Sequence, residues 1–217
     1  MLTLENITYR YKNSPRDALN NVSALFEAGK FSSIVGPSGS GKTTMLSIMA
    51  GLDRPTSGII SIDGDDLSKL DLFEYRRKRI SMVFQAFQLF PLLKAIENVC
   101  YPMEMNKIPK STAKAKAIQL LNSVGIDESK HGRYPSNLSG GEQQRVAIAR
   151  ALSTDAKVIL ADEPTGNLDK ANGEGVISIL KKLAHEDGYC VIVVTHNQEI
   201  ADGGDVIYRM LDGVLGG

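Results

Sequence analysis

Four short runs of apolar, largely β-branched residues punctuate the chain: Phe31 to Val35, Ile80 to Phe84, Val158 to Ala161 and Tyr189 to Val194. Each ends in polar or glycine-rich sequence, the pattern of strands buried on both faces. Between the last two, Val176, Ile179, Leu180 and Leu183 recur at the spacing of one helix face. Strands alternating with helices in this way predict an α/β fold with a mainly parallel sheet covered by helices. Earlier segments, Leu2 to Tyr11, Val22 to Glu27 and Gly58 to Asp63, read as antiparallel strands flanking that core. From about Phe87 to Leu152 the β pattern gives way to helical spacings such as Ala117, Leu120, Leu121 and Val124, punctuated by Pro91, Pro102, Pro109 and Pro135. The expected organisation is one domain over 1-217: an α/β core from 1-86 and 153-217, with residues 87-152 inserted as a helical subdomain. Gly213 to Gly217 reads as a loose end without a regulatory extension.

Composition narrows the function classes. Lysine plus arginine (25) balance aspartate plus glutamate (25), so there is no basic field and nucleic acid is not an expected partner. No apolar run approaches the roughly 18 residues that cross a bilayer. Met1 to Asn6 alternates apolar and polar residues, which reads as a strand and not as an export signal. Cys100 and Cys190 are the only cysteines and lie far apart, which argues against a disulfide framework or a cysteine metal site.

The strongest chemical signal is Gly36-Pro37-Ser38-Gly39-Ser40-Gly41-Lys42-Thr43-Thr44. It follows a predicted strand and opens a helical run at Lys42, the context in which backbone amides at a helix N-terminus face a polyphosphate. Glycines allow close backbone approach, Lys42 can reach the terminal phosphates and the Thr43 hydroxyl can ligate Mg²⁺. The predicted core is thus a P-loop NTPase core.

A second site lies where the strand Val158 to Ala161 runs into Asp162 and Glu163. Adjacent carboxylates at a strand end point differently, so Asp162 can hold hydrated Mg²⁺ while Glu163 polarises the attacking water as general base. Gln85 and His196 follow two other predicted strands, and ligands of open α/β sheets bind beyond such ends. Alone, each would read as surface; together with the other two they suggest one site, with Gln85 near Mg²⁺ and water and His196 near the γ-phosphate. Leu138-Ser139-Gly140-Gly141-Glu142-Gln143-Gln144-Arg145 opens a helix. Ser139 and Glu142 form a capping-box pattern that needs no ligand. The two glycines, each costing up to about 1 kcal/mol against alanine in a helix, weaken that account, and exposed amides there would make a second anion site.

In order, the phosphate loop, Gln85, Leu138-Ser139-Gly140-Gly141-Glu142, Asp162-Glu163, Asn167-Leu168-Asp169 and His196 resemble the ABC ATPases over essentially the whole chain. The resemblance implies an ATPase subunit using ATP and Mg²⁺, with Tyr11 stacking on adenine; by itself Tyr11 equally fits an edge strand. It implies that Ser139, Gly140 and Gly141 bind the γ-phosphate held by a second copy, so that two copies pack head to tail around two ATP molecules. Asn167-Leu168-Asp169 looks like the loop communicating between those sites. A membrane permease is the implied partner, and the cytoplasmic face of the membrane the implied location.

Gly51-Leu52-Asp53-Arg54-Pro55-Thr56-Ser57-Gly58 and Glu163-Pro164-Thr165-Gly166-Asn167-Leu168-Asp169 resemble the bacterial branch of lipoprotein-release, macrolide-export and antimicrobial-peptide-resistance ATPases. A cell-division ATPase shares much of this pattern and stands as the alternative. Phe87, Leu89, Phe90, Leu92 and Leu93 are the expected permease contact, with packing of the helical lobe as the competing account. DNA-repair ATPases of the same superfamily would need a long heptad insertion, and none is present. A GTPase would need an Asn-Lys-X-Asp motif, whereas Asn106-Lys107-Ile108 is followed by Pro109.

Overall fold

A computed structural model describes residues 1–216. Along the chain the elements are β1 (Leu2–Tyr9), β2 (Leu19–Phe26), β3 (Phe31–Val35), α1 (Lys42–Met49), β4 (Ser57–Ile62), β5 (Asp65–Asp66), α2 (Leu72–Lys78) and β6 (Ile80–Phe84). Four helices follow: α3 (Ala95–Met105), α4 (Lys110–Ser123), α5 (Glu128–His131) and α6 (Gly140–Leu152). The chain then returns to β structure through β7 (Val158–Asp162), α7 (Lys170–His185), β8 (Cys190–Thr195), α8 (Gln198–Asp202), β9 (Val206–Leu211) and β10 (Val214–Gly216). This is the α/β class read from the sequence.

The chain divides into two compact units. Unit 1 comprises Met1–Met82, Lys157–Glu163 and Leu180–Gly217; unit 2 comprises Val83–Ala156 and Pro164–Ile179. Unit 2 therefore includes a second stretch, Pro164–Ile179, beyond the 87-152 segment whose helical spacing stands out in the sequence.

Unit 1 carries two sheets. One is ordered β2-β1-β4-β5 with antiparallel pairings; the other is ordered β10-β9-β3-β8-β7-β6, with β9, β3, β8 and β7 mutually parallel. A single apolar cluster joins them. Leu2, Leu4 and Ile7 of β1 meet Met45, Leu46, Ile48 and Met49 of α1 and the even-numbered residues Val158, Leu160, Ile192 and Val194 of β7 and β8. Their odd-numbered neighbours Ile159, Ala161, Val191 and Val193 are buried as well, which is why these strands read as continuous apolar runs and not as alternating ones.

Two expectations need correction. Strand β1 ends at Tyr9, so Tyr11 lies in the loop beyond it and not in a strand. Val214–Gly216 is also no loose end: it pairs antiparallel with β9 through the two-residue turn Asp212-Gly213, both at positive φ. Gly217 lies outside the described residues.

In unit 2, α3 packs against α4 and α6, and α4 against α6. The periodic positions Ala117, Leu121 and Val124 are buried, while Leu120 is half-buried. Among the described residues no helix is long and apolar enough to cross a membrane.

Candidate functional site

The phosphate-loop pattern occupies the turn between β3 and α1, and its glycines answer to different constraints. A Cβ on Gly36 would collide with the Met210 carbonyl oxygen. At Gly41, where φ is 108°, it would lie 2.5 Å from the Ala18 carbonyl oxygen. Gly39, at φ 78°, faces open space, so there only the backbone conformation calls for glycine. The loop thus folds against its own chain at two points and stays clear at a third.

Lys42 is buried, and its ammonium donates to the carbonyls of Gly36 and Pro37 at 2.8 Å each. These two bonds hold the charge over the loop. No side chain caps the N-terminus of α1, leaving its first-turn amides to an anion. Ser40 is buried with a hydroxyl that has no protein partner, whereas Ser38 and Thr43 are exposed. The Thr44 hydroxyl lies 2.9 Å from the Tyr11 hydroxyl.

Parallel pairing aligns three strand ends, with Val35 opposite Thr195 and Asp162 opposite Val194. Gly36, Glu163 and His196 therefore leave the sheet along one edge. The Glu163 amide donates to the Val194 carbonyl at 2.9 Å, and Glu163 takes φ 46°, left-handed for a residue with a Cβ. His196 Nδ1 lies 2.8 Å from Glu163 Oε1. An ionised carboxylate only accepts, so Nδ1 carries the hydrogen; in the neutral ring Nε2 is then an acceptor.

Burial, and after it the neighbouring Glu163 carboxylate, push Asp162 above the ordinary carboxylate range, with Lys42 and Thr43 acting the other way. Asp162 Oδ1 is buried without a hydrogen-bond partner. A buried, orphaned carboxylate oxygen next to the Thr43 hydroxyl suits a hard cation such as Mg²⁺, which takes one or two carboxylates and completes its shell with water and phosphate oxygens.

Unit 2 holds the remaining candidates. Gln85 and Asn167 clasp each other: Gln85 Nε2 donates to Asn167 Oδ1 at 3.3 Å, and Asn167 Nδ2 donates to the Gln85 carbonyl at 3.0 Å. Nothing in these contacts assigns Gln85 to a metal, so that expectation rests on its place after β6. The capping box at α6 is formed. Ser139 Oγ accepts from the Glu142 amide at 3.3 Å, and the Glu142 carboxylate accepts from the Ser139 amide at 2.8 Å. The Glu142 carboxylate is also paired with Lys130 at 2.5 Å, and this contact chiefly holds it below the usual range. A Cβ on Gly141 would strike the Asn172 side chain, and one on Gly140 would come to 3.3 Å from Leu168. Local packing therefore accounts for Gly141 and tightens around Gly140. Asp169 accepts from the Asn172 amide and side chain at 2.9 and 2.7 Å, bonds that keep its carboxylate below the usual range.

Sequence reasoning missed Lys130, Asn172 and Arg150. Arg150 donates to the carbonyls of Gln88 and Phe87 at 2.6 and 3.2 Å, holding two consecutive residues that both have positive φ. None of the three sits in a short motif: Lys130 meets Glu142, Asn172 bonds Asp169 and faces Gly141, and Arg150 reaches back to Phe87 and Gln88.

With this geometry in view, comparison with known proteins is decisive: the ABC transporter profile matches residues 19–166. The chain belongs to the ABC transporter family. It is 40% identical over 222 residues to the lipoprotein-releasing system ATP-binding protein LolD of Syntrophotalea carbinolica, spanning 100% of this chain and 97% of that protein. A solved structure titled as the dimeric structure of MJ0796, a bacterial ABC transporter cassette, superposes with a TM-score of 0.89 at 43% identity, covering 99% of this chain and 96% of that one. A second MJ0796 structure, titled as a dimeric post-hydrolysis state bound to ADP and Pi, has the same TM-score, identity and coverage. The protein named MJ0796 comes from Methanocaldococcus jannaschii.

This ABC protein is an ATP-binding ATPase subunit, and its relatives lie in the lipoprotein-release and macrolide-export branch read from its motifs. The phosphate loop falls wholly inside the matched span, as do Gln85, Ser139 and Glu163; Tyr11, Asp169 and His196 lie outside it.

Proposed function

We propose that two copies of this chain close head to tail around ATP and Mg²⁺, hydrolyse the ATP, and drive export or extrusion by a separate permease from the cytoplasmic face of the membrane. The observation that carries the catalytic part is the common sheet edge on which the phosphate loop, Glu163 and His196 emerge, with Glu163 and His196 already in contact at 2.8 Å.

Lys42 and the α1 amides bind the phosphates, which draw the Lys42 ammonium away from the Gly36 and Pro37 carbonyls. Thr43 and Asp162 would hold Mg²⁺, which supplies charge neutralisation on the β- and γ-phosphate oxygens. Glu163 takes a proton from a water as the water oxygen bonds to the γ-phosphorus; the bond from that phosphorus to the bridging β-γ oxygen breaks, releasing inorganic phosphate and ADP, whose charge is met by Lys42. His196 orients Glu163 through Nδ1. For Nε2 to donate to the γ-phosphate at the same time, the ring must carry both protons. Ser139, Gly140 and Gly141 of the second copy supply the opposing contact to the γ-phosphate, with Tyr11 under the adenine.

Within unit 2 the surface offered to the permease is Phe90 and Leu92, 41% and 85% exposed, with Phe90 packed on Tyr101 at 4.7 Å between ring centres. Phe87, Leu89 and Leu93 are half-buried and serve the lobe itself. The 40% identity to a lipoprotein-releasing ATPase over the full chain supports the export assignment.

Phosphate release measured across a range of protein concentrations tests the dimeric mechanism. A specific activity that rises with concentration and then saturates is expected; a constant value down to the lowest concentrations would mean that one copy suffices.

A further inference from the structure

We propose that Lys130 is a positioning residue acting through Glu142: by neutralising that carboxylate, it keeps the Ser139-Gly140-Gly141 turn able to accept the γ-phosphate of ATP held by a second copy. This deepens the dimeric reading above and rests on it.

Two opposed charges meet in the first turn of α6. A helix presents roughly half a positive charge at its N-terminus, whereas Glu142 places a full negative one in the same turn. Its Oε2 accepts from the Ser139 amide at 2.8 Å, and its own amide donates to Ser139 Oγ at 3.3 Å. The carboxylate completes the cap, but alone it would outweigh the helix end and set a net negative field where a phosphate is to bind. Lys130 reverses this. Its ammonium donates to the other carboxylate oxygen, Oε1, at 2.5 Å, the bond that chiefly holds Glu142 below the usual carboxylate range. With the carboxylate met by a cation, the helix end keeps its positive sign.

The backbone of Lys130 is fixed on both sides. Its amide donates to the Asp127 carbonyl at 2.9 Å, its carbonyl accepts from the Arg133 amide at 3.0 Å, and the neighbouring His131 ring is buried 2.9 Å from the Ile126 carbonyl. A strut between α5 and α6 is the competing account. The two side chains are 33% and 17% exposed, however, and ion pairs open to solvent contribute little to stability. The effect on an incoming anion is larger, since an uncompensated charge one helix turn from a phosphate costs on the order of tenfold in affinity.

Sedimentation of the Glu163→Gln protein with Mg²⁺ and ATP reads the dimer, and ATP binding at protein concentrations too low for dimer reads the single copy. Added to that background, Lys130→Met should weaken ATP-driven dimerisation about a hundredfold, about tenfold at each of two sites, and leave ATP binding by the monomer unchanged. Combining Lys130→Met with Glu142→Gln should restore dimerisation to within about threefold of the background, because the carboxamide oxygen still accepts from the Ser139 amide and the negative charge is gone. Glu142→Gln alone should dimerise at least as tightly as the background, with the Lys130 cation then facing the phosphate. Normal dimerisation by Lys130→Met, or a matching loss of ATP binding by its monomer, overturns the proposal. Failure of Glu142→Gln to rescue Lys130→Met also overturns it and makes Lys130 a strut. So does weakened dimerisation by Glu142→Gln alone, a conservative change that decides the matter even should Lys130→Met fail to fold. A Glu163→Gln protein that fills with ATP and stays monomeric would defeat the dimeric reading itself, a separate result.

Discussion

His196 Nδ1 rests 2.8 Å from Glu163 Oε1, joining the residue after β8 to the residue after β7. The bond sets the direction of a carboxylate whose backbone is already in the left-handed region. His196→Ala should therefore lower kcat by about 10²–10³-fold, the range for losing an oriented hydrogen-bond partner at the reacting centre. ATP affinity should change far less. Single-turnover hydrolysis alongside equilibrium ATP binding checks this; equal losses in both would assign His196 to binding alone.

Asp162 gives a stability prediction of opposite sign to its functional one. Its folded-state pKa is raised by burial and Glu163, so the ionised form costs stability at neutral pH, and the cost is relieved as pH falls through the folded value towards the unfolded one. Asp162→Asn should raise the melting temperature of the nucleotide-free protein by about 2–4 °C at neutral pH. The gain should shrink in acid, and Mg²⁺-dependent hydrolysis should be lost. A variant that melts lower at neutral pH would contradict this electrostatic picture.

Ser139 lets the capping and ligand roles be separated. Ser139→Ala should cost about 1 kcal/mol by removing the cap, whereas Ser139→Asp keeps a capping oxygen and should be close to neutral in denaturant unfolding. Ser139→Asp should nonetheless abolish ATP-driven dimerisation, because it sets a carboxylate against the γ-phosphate. The Glu142 carboxylate, depressed chiefly by Lys130, supports this helix end above the unfolded carboxylate pKa, and its support fades as pH falls through the folded value. If Ser139→Asp dimerises normally, the serine is only a cap.

Arg150 holds Phe87 and Gln88 in left-handed backbone through their carbonyls, and its guanidinium lies 5.8 Å from the centre of the Phe90 ring. Arg150→Met should destabilise the chain by about 1.5–3 kcal/mol, the range for hydrogen bonds to a charged donor. Urea unfolding measures it. Arg150→Lys should recover only part of the loss, because an ammonium lacks the planar fork that spans two carbonyls. Full recovery would mean that charge, and not geometry, holds the segment.

Much of this was legible in the chain. Phe31–Val35 and Ile80–Phe84 match their predicted bounds end to end, because their few polar residues, Ser32, Ser33 and Ser81, are small enough to be buried with the apolar ones. Val206–Leu211 was not legible, since most of it is exposed or half-buried and Tyr208 and Arg209 break its pattern. The turn after it did carry a signal: Asp212-Gly213 between apolar residues is a hairpin sequence, obscured by the glycines that follow. At the site, the residues expected on sequence motif came from local patterns. The clasp of Gln85 and Asn167, the contact of Gly141 with Asn172 and the Tyr11–Thr44 bond join residues 82, 31 and 33 positions apart, a range that short motifs do not reach.

The most direct test of the proposed mechanism is sedimentation of Glu163→Gln with Mg²⁺ and ATP. Removing the base should leave ATP bound and unhydrolysed, giving a stable dimer with two ATP molecules that reverts to monomer in ADP. A variant that stays monomeric while saturated with ATP, or that hydrolyses ATP at the wild-type rate, would contradict the account.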